Sequence, residues 1–143
     1  MTRRRTVEDD AGNRYLLLKQ SSDTSLVRDP ATGERSHLPT DSLEPAEAST
    51  RETILAPVPG RVVDLLTAVH DERALALVLE IDAEGPIAVR MLLDAYDFCE
   101  SDLHGLLAEL QAAGLIAEVT VVGERGYETT EKGAEALAAI RKR

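Results

Sequence analysis

The residues best suited to chemistry lie in one short segment that contains Asp97, Cys99, Asp102 and His104. Such a set raises the question of a metal site, but one thiol and one imidazole beside two carboxylates match zinc poorly, because structural zinc sites use Cys and His ligands. A redox role for the single cysteine is also disfavoured, since reactive thiols need an electropositive environment and these neighbours are acidic. We therefore expect no metal and no cofactor, and we expect Cys99 to be a small core residue.

The rest of the chain offers no enzymatic motif. It has no Gly-rich phosphate loop, no Gly-x-Ser-x-Gly elbow and no His-Glu-x-x-His sequence. His37, His70 and His104 stand without an obvious nucleophile partner. We expect that the protein is not an enzyme.

A strongly amphipathic segment follows the cysteine and ends near Gly114. Leucines at 103, 106, 107 and 110 repeat at the spacing of one buried helical face, and Ser101 is the expected N-cap. The opposite side carries small and polar residues that can approach or hydrogen-bond another surface. The candidates for contact on that side are Ser101, His104, Gly105, Ala108 and Gln111.

Composition shifts divide the chain into four parts. Residues 1–13 read as a flexible basic and polar arm, 14–38 as a β-meander with a hairpin turn at Pro30–Gly33, and 39–59 as a linker rich in Pro, Ser, Thr and Glu. A weak helical pattern covers 50–56 within that linker. Residues 60–143 form the main domain.

Within 60–143 the hydrophobic period predicts helices near 62–70, from an Asp71 N-cap to about 83, and over 87–96. After the amphipathic segment 101–113, alternating residues predict two strands joined by a turn at Gly123–Gly126, with Arg125 at its tip. Thr129 or Thr130 caps a final helix. The predicted class is α+β.

Two landmarks in this domain resemble winged helix-turn-helix regulators of the MarR, ArsR and PadR types. The run Ser101–Ile116 resembles their recognition helix and following strand, and Tyr127–Gly133 resembles the Tyr-x-Leu-Thr-x-x-Gly sequence that ends their wings. Thr129 stands where Leu is usual. The resemblance covers about residues 60–143, and the whole chain is also similar to small haloarchaeal winged-helix proteins of unassigned role.

This resemblance implies a DNA-binding transcriptional regulator. A recognition helix at about 101–113 would enter the major groove of double-stranded DNA, and a wing at about 119–128 would bring Arg125 to a neighbouring groove or phosphate. Two half-sites imply a homodimer, whose surface would come from the helix after Pro57 or from the last helix. The alternative is a winged-helix adaptor that binds protein without direct DNA contact.

Charge is the main objection to DNA binding. The net charge is −10, and residues 60–143 contain 8 basic and 16 acidic residues. The recognition segment itself has Asp102 and Glu109 but no Lys or Arg, whereas protein–DNA interfaces are markedly positive. The acid-rich, Lys-poor composition resembles haloarchaeal proteins, and the alternative is an ordinary acidic bacterial protein. At about 1 M salt the Debye length is only about 3 Å, which weakens long-range repulsion.

The two ends of the chain are its densest basic clusters, Arg3-Arg4-Arg5 and Arg141-Lys142-Arg143. Each can follow a DNA backbone or simply aid solubility. No apolar run approaches the ~18 residues of a membrane span. We therefore expect a cytoplasmic protein with no membrane partner.

Overall fold

A computed structural model describes residues 5–141 of the chain. It has mixed α+β architecture with antiparallel sheets, and the chain divides into two compact units, Met1–Pro59 and Gly60–Arg143. The predictions for Arg3, Arg4, Lys142 and Arg143 fall outside the described residues.

The first unit is built on one antiparallel sheet of five strands. They are β1 (Arg5–Glu8), β2 (Arg14–Gln20), β3 (Thr24–Arg28), β4 (Arg35–Pro39) and β5 (Glu44–Pro45), in the spatial order β4-β3-β2-β1-β5. A 3₁₀ turn, Thr40–Ser42, precedes β5, and helix α1 (Thr50–Leu55) packs on β1 and β2. The small core includes Val7, Leu16 and Val27.

Two segments expected to be irregular contain regular structure. Residues 5–8 of the predicted arm form β1, with Thr6 and Val7 buried. The predicted linker contains β5 and α1, whose Thr53 hydroxyl bonds that of Thr6. The meander therefore gains two strands and a helix from its flanks, because three small strands alone bury too little apolar surface to be stable.

The second unit combines helices with a three-stranded sheet. Its elements are α2 (Gly60–Ala68), α3 (Glu72–Glu84), β6 (Ile87–Ala88), α4 (Val89–Ala95), α5 (Glu100–Ala112), β7 (Ile116–Val121), β8 (Glu124–Thr129) and α6 (Glu131–Ile140). The sheet order is β6-β8-β7 and both pairings are antiparallel. Asp71 and Thr130 cap α3 and α6 as predicted, each accepting a hydrogen bond from a backbone N–H.

One leucine-rich core holds this unit together. Leu77 and Ile81 of α3, Leu103 and Leu107 of α5, and Leu137 of α6 are all 0–1% exposed. Burying each such side chain is worth roughly 1.5–3 kcal/mol. The core fixes α5 by its leucine face and leaves its other side to solvent.

One boundary prediction in this unit is wrong. Ile87 and Ala88, predicted as the start of a helix, form strand β6 and pair with Tyr127 and Gly126. That partner lies far along the chain, so the local hydrophobic period contains no sign of it.

Candidate functional site

Helix α5 exposes a row of small residues on its outer face, with the exposed Asp102 and Glu109 on one flank. Its Leu103, Leu107 and Leu110 are buried, and the helical period places Ser101, Gly105, Ala108 and Ala112 on the opposite side, all exposed. Gln111 is also exposed and borders this row, whereas His104 is half-buried. Another surface can therefore come close to the helix backbone along three turns.

Gly105 has no packing role within its own unit. A Cβ built on it meets no atom within 4 Å. A glycine inside a helix costs about 0.5–1 kcal/mol relative to alanine. The fold thus provides no packing reason for glycine at this position.

The start of α5 differs from the prediction. The N-cap is Cys99, without a side-chain cap hydrogen bond, and Ser101 lies inside the first turn with its Oγ 3.3 Å from the Cys99 Sγ. Cys99 is exposed, so its prediction as a core residue is wrong. Leu103 already fills the core at this end of the helix, which leaves the residue before the helix at the surface.

Basic side chains from the α2–α3 corner flank α5 and meet its acidic residues. Arg73 Nη1 lies 3.4 Å from Asp102 Oδ2, and His70 Nε2 lies 3.7 Å from Glu109 Oε2. Arg73 also pairs with Asp71 at 3.3 Å. Arg73 therefore offsets the negative charge of Asp102 on one flank of the outer face.

The Asp71 carboxylate is held in its charged form. The backbone N–H of Ala74 donates to it at 2.9 Å, and this hydrogen bond, helped by Arg73, lowers the pKa of Asp71 below its ordinary value. The same pairing, chiefly the hydrogen bond to Asp71, raises the pKa of Arg73. A charged N-cap and the ion pairs of Arg73 thus hold the α2–α3 corner that flanks α5.

His104 faces along its own helix. Its Nε2 lies 3.7 Å from Glu100 Oε1 one turn earlier. Ser101 and Gln111 keep their polar groups at the surface, on the same stretch of helix. The structure therefore brings the five α5 candidates onto one exposed side and its border.

Arg125 does not lie where the sequence placed it. It is on strand β8, opposite Thr120, and its Nε is 3.1 Å from Glu118 Oε1. Its guanidinium also donates to the Tyr127 hydroxyl at 3.1 Å and stands 5.7 Å from the centre of that ring. The side chain is held against the hairpin rather than extended from its tip.

The hairpin tip is formed by Val122 and Gly123, with φ of 48° and 77°. Two successive positive φ values make the tight turn that suits paired antiparallel strands. Val122 is 97% exposed. Gly126, predicted as part of the turn, instead lies where β6 approaches β8, since a Cβ there would stand 2.5 Å from the Ile87 carbonyl oxygen.

Each Lys and Arg that the structure describes in the second unit forms an ion pair. Between residues 60 and 141, every Lys and Arg has a carboxylate partner within 4.0 Å. The pairs besides those of Arg73 and Arg125 are Arg61–Glu135, Arg90–Glu124, Lys132–Asp64 and Arg141–Asp82. The sequence could not reveal these partners, because most of them are far apart in the chain.

The described residues contain neither a candidate metal site nor a membrane-spanning helix. Across 5–141, no three His, Cys, Asp or Glu side chains converge in an arrangement that could hold a metal ion. Over the same range, every helix is too short or too polar to cross a membrane.

Comparison with known proteins gives one match. Residues 4–141 match the model of a family described as a family of unknown function, DUF7346. Searches of curated proteins and of solved structures each return no match.

Proposed function

The chain belongs to this family of unknown function, and we propose that it is a winged helix-turn-helix, DNA-binding regulator of transcription. The connectivity of the second unit supports the proposal. A helix, a short strand, two helices and a hairpin follow one another from α3 to β8, and the first strand pairs with the last. In this arrangement α5 is the recognition helix and β7–β8 is the wing.

The observation that carries the proposal is the outer face of α5. Gly105, Ala108 and Ala112 are exposed and small, and the buried leucines hold the helix from behind. The major groove of B-DNA is wide enough to admit an α-helix, and small side chains let the helix sit deep. Ser101, His104 and Gln111 then supply hydrogen-bonding groups to base edges or phosphates.

The charge around α5 also bears on the proposal. Asp102 and Glu109 lie on one flank, and Arg73 and His70 are their partners. Arg125 is the least favourable of the proposed contacts, because reaching a phosphate requires it to leave Glu118. Readout by α5 therefore depends on close fit more than on positive charge.

The test is to place a negative charge on the outer face. Ala108→Glu keeps a good helix former at an exposed position, and we expect it to lower affinity for genomic DNA fragments at least tenfold, measured by fluorescence anisotropy. Ala83→Glu, on the exposed side of α3, adds the same charge away from α5 and serves as the matched control. Equal affinity of the two variants would reject α5 as the reading helix.

A second candidate function is a protein-binding adaptor. Neither candidate function is enzymatic. The pairing of every Lys and Arg between 60 and 141 favours the adaptor, because a neighbouring carboxylate cancels part of the positive charge that each cation would present to a phosphate. An open groove lined by Met91, Tyr96 and Val122 offers such a partner an apolar surface. The adaptor predicts that Ala108→Glu leaves DNA affinity unchanged.

A further inference from the structure

Strands β2, β3 and β4 have an unusual charge composition for so acidic a protein. Their 7, 5 and 5 residues contain Arg14, Lys19, Arg28 and Arg35 and no Asp or Glu. The chain as a whole has 26 acidic and 16 basic residues. Acidic side chains are thus excluded from the middle and one edge of the first sheet.

The strand register puts these cations on one face. Arg28 pairs with Leu16 on one side and with Arg35 on the other, and Arg14 is two residues from Leu16. Lys19 pairs with Leu26, which pairs with His37, and Leu26 is two residues from Arg28. Alternate residues of a strand share a face, and an irregularity of the register between Leu17 and Lys19 brings Lys19 to the side of Leu16. The cations and one histidine therefore form one surface, here called the basic sheet face: Arg14, Lys19, Arg28, Arg35 and His37.

The cations of this face have no carboxylate partners. Among residues 5–141, no Asp or Glu lies within 4.0 Å of the charged groups of Arg14, Lys19, Arg28 or Arg35. Arg28 and Arg35 even stand directly opposite each other, and like charges in that position destabilise a sheet. The described cations of the first unit, Arg5 and Arg51 included, are thus free to bind an external anion, whereas each described cation of the second unit is paired.

Acidic residues border this face. Glu8 of β1 stands directly opposite Arg14, and Asp29 and Glu34 are the chain neighbours of Arg28 and Arg35. Glu8, Asp9, Asp10 and Glu44 surround a cleft beside β1 and β5, at the other edge of the sheet from β4. Helix α1 packs on β1 and β2, where Thr53 meets Thr6. On β3 and β4, Arg28 is half-buried, and Arg35 and His37 are exposed.

We propose that the basic sheet face binds the phosphate backbone of duplex DNA. Neighbouring strands are about 4.8 Å apart and alternate residues of a strand about 6.8 Å apart, so the cations form a two-dimensional array rather than a single pocket. Arginine, which supplies three of the four, binds phosphate oxygens with two parallel N–H donors. An array of this kind fits a run of phosphates better than one small anion.

This inference goes beyond the proposed function, because it assigns phosphate contacts to residues outside the winged-helix domain. Such contacts position a protein on DNA and do not read its sequence. They also bear on the main objection to DNA binding, which is that α5 carries no Lys or Arg, because the first unit supplies exposed cations instead. The choice of duplex DNA over another polyanion rests on the proposed function, whereas the array of cations does not depend on base reading by α5.

The test compares two double variants that remove the same charge. Arg28→Ala/Arg35→Ala removes two unpaired cations, and Arg61→Ala/Arg90→Ala removes two that pair with carboxylates. Binding to a labelled duplex of mixed sequence is followed by anisotropy over a fourfold range of KCl. Loss of two phosphate contacts should flatten the slope of log K against log salt by about 1.8, which is about 12-fold in affinity across that range.

We expect the control pair to keep the wild-type slope, and circular dichroism at each salt concentration to report a folded chain. Equal slopes for the two double variants, or no binding by the folded wild-type protein, would overturn the inference. Equal competition by duplex RNA or heparin would overturn the assignment to DNA. Gly105→Ala separates the two proposals: it changes no charge and removes no phosphate contact, so it should lower affinity without changing the slope.

Discussion

At the scale of single residues, Gly105 and Gly133 show two different reasons for a glycine in a helix. A Cβ on Gly133 would collide with the Leu115 carbonyl, so the α6 glycine is required by packing against the turn between α5 and β7. A Cβ on Gly105 would meet nothing. The destabilising effect of this glycine on α5 is therefore not offset by any contact inside the unit. A contact between α5 and an external surface would explain why glycine occupies the position.

We expect Gly105→Ala to stabilise the protein by about 0.5–1 kcal/mol, because alanine restricts the unfolded chain and favours the helix. The same methyl group should weaken DNA binding by narrowing the approach to α5. Urea denaturation and anisotropy measure the two effects. Gly133→Ala is the contrasting variant and should lower stability; a stable Gly105→Ala protein with unchanged affinity would contradict the close-approach argument.

At the scale of elements, the N-terminus of α3 depends on a charged cap. Asp71 accepts the Ala74 N–H and lies beside Arg73, and both interactions favour the carboxylate. Its pKa is lower in the folded protein than in the unfolded chain. The stabilisation is therefore complete above about pH 4, the ordinary range of an aspartate, and is lost as pH falls through the lower, folded-state value.

Asp71→Asn isolates this pH dependence, because asparagine also caps helices but does not titrate. We expect the wild-type protein to have the higher Tm at pH 7 and the difference to shrink below pH 4. Thermal unfolding at matched ionic strength measures it. A Tm difference that stays constant from pH 7 to pH 3 would show that the carboxylate charge does not stabilise the cap.

Elements with a strong local period could be predicted from the sequence, and those that depend on distant partners could not. The leucine spacing of α5 and the caps Asp71 and Thr130 are local signals, and the structure confirms them. Strand β6 exists because it pairs with β8, and β1 because it lies between β2 and β5. A segment of two to four residues is too short to show the hydrophobic period that would predict either strand.

The candidate site likewise has parts that could be predicted from the sequence and parts that could not. The exposed side of α5 follows from the positions of its leucines. The position of Arg125 does not, because a valine with positive φ at residue 122 moves the turn away from it. The partners of Arg73 and the free cations of the basic sheet face depend on tertiary register, which the sequence alone does not contain.

At the scale of the whole molecule, the two units differ in charge as well as in fold. Residues 1–59 contain eight basic and ten acidic residues, and residues 60–143 contain eight and sixteen. Most of the acidic excess therefore lies in the second unit, where each described Lys and Arg forms an ion pair. The described cations without carboxylate partners are therefore all in the first unit.

The second unit also exposes apolar side chains on two helices that pack together. Leu66 of α2 is 61% exposed and Ile140 of α6 is 42% exposed. The helices are joined by the pairs Arg61–Glu135 and Lys132–Asp64. Water-exposed leucine and isoleucine on adjoining helices are the side chains that a homodimer, as proposed for two half-sites, would bury.

We therefore expect the wild-type protein to elute as a dimer of the 15.5 kDa chain, and Leu66→Glu to elute as a monomer, because burying a carboxylate without a partner is costly. Light scattering after size exclusion measures both masses. Met91→Glu is the control, since Met91 of α4 is also exposed, at 54%, and lies outside the α2–α6 pair. If Leu66→Glu stays dimeric while Met91→Glu dissociates, the dimer surface is on the α4 side of the unit, next to the groove at the hairpin tip, and half-site spacing on DNA must be worked out from that surface instead.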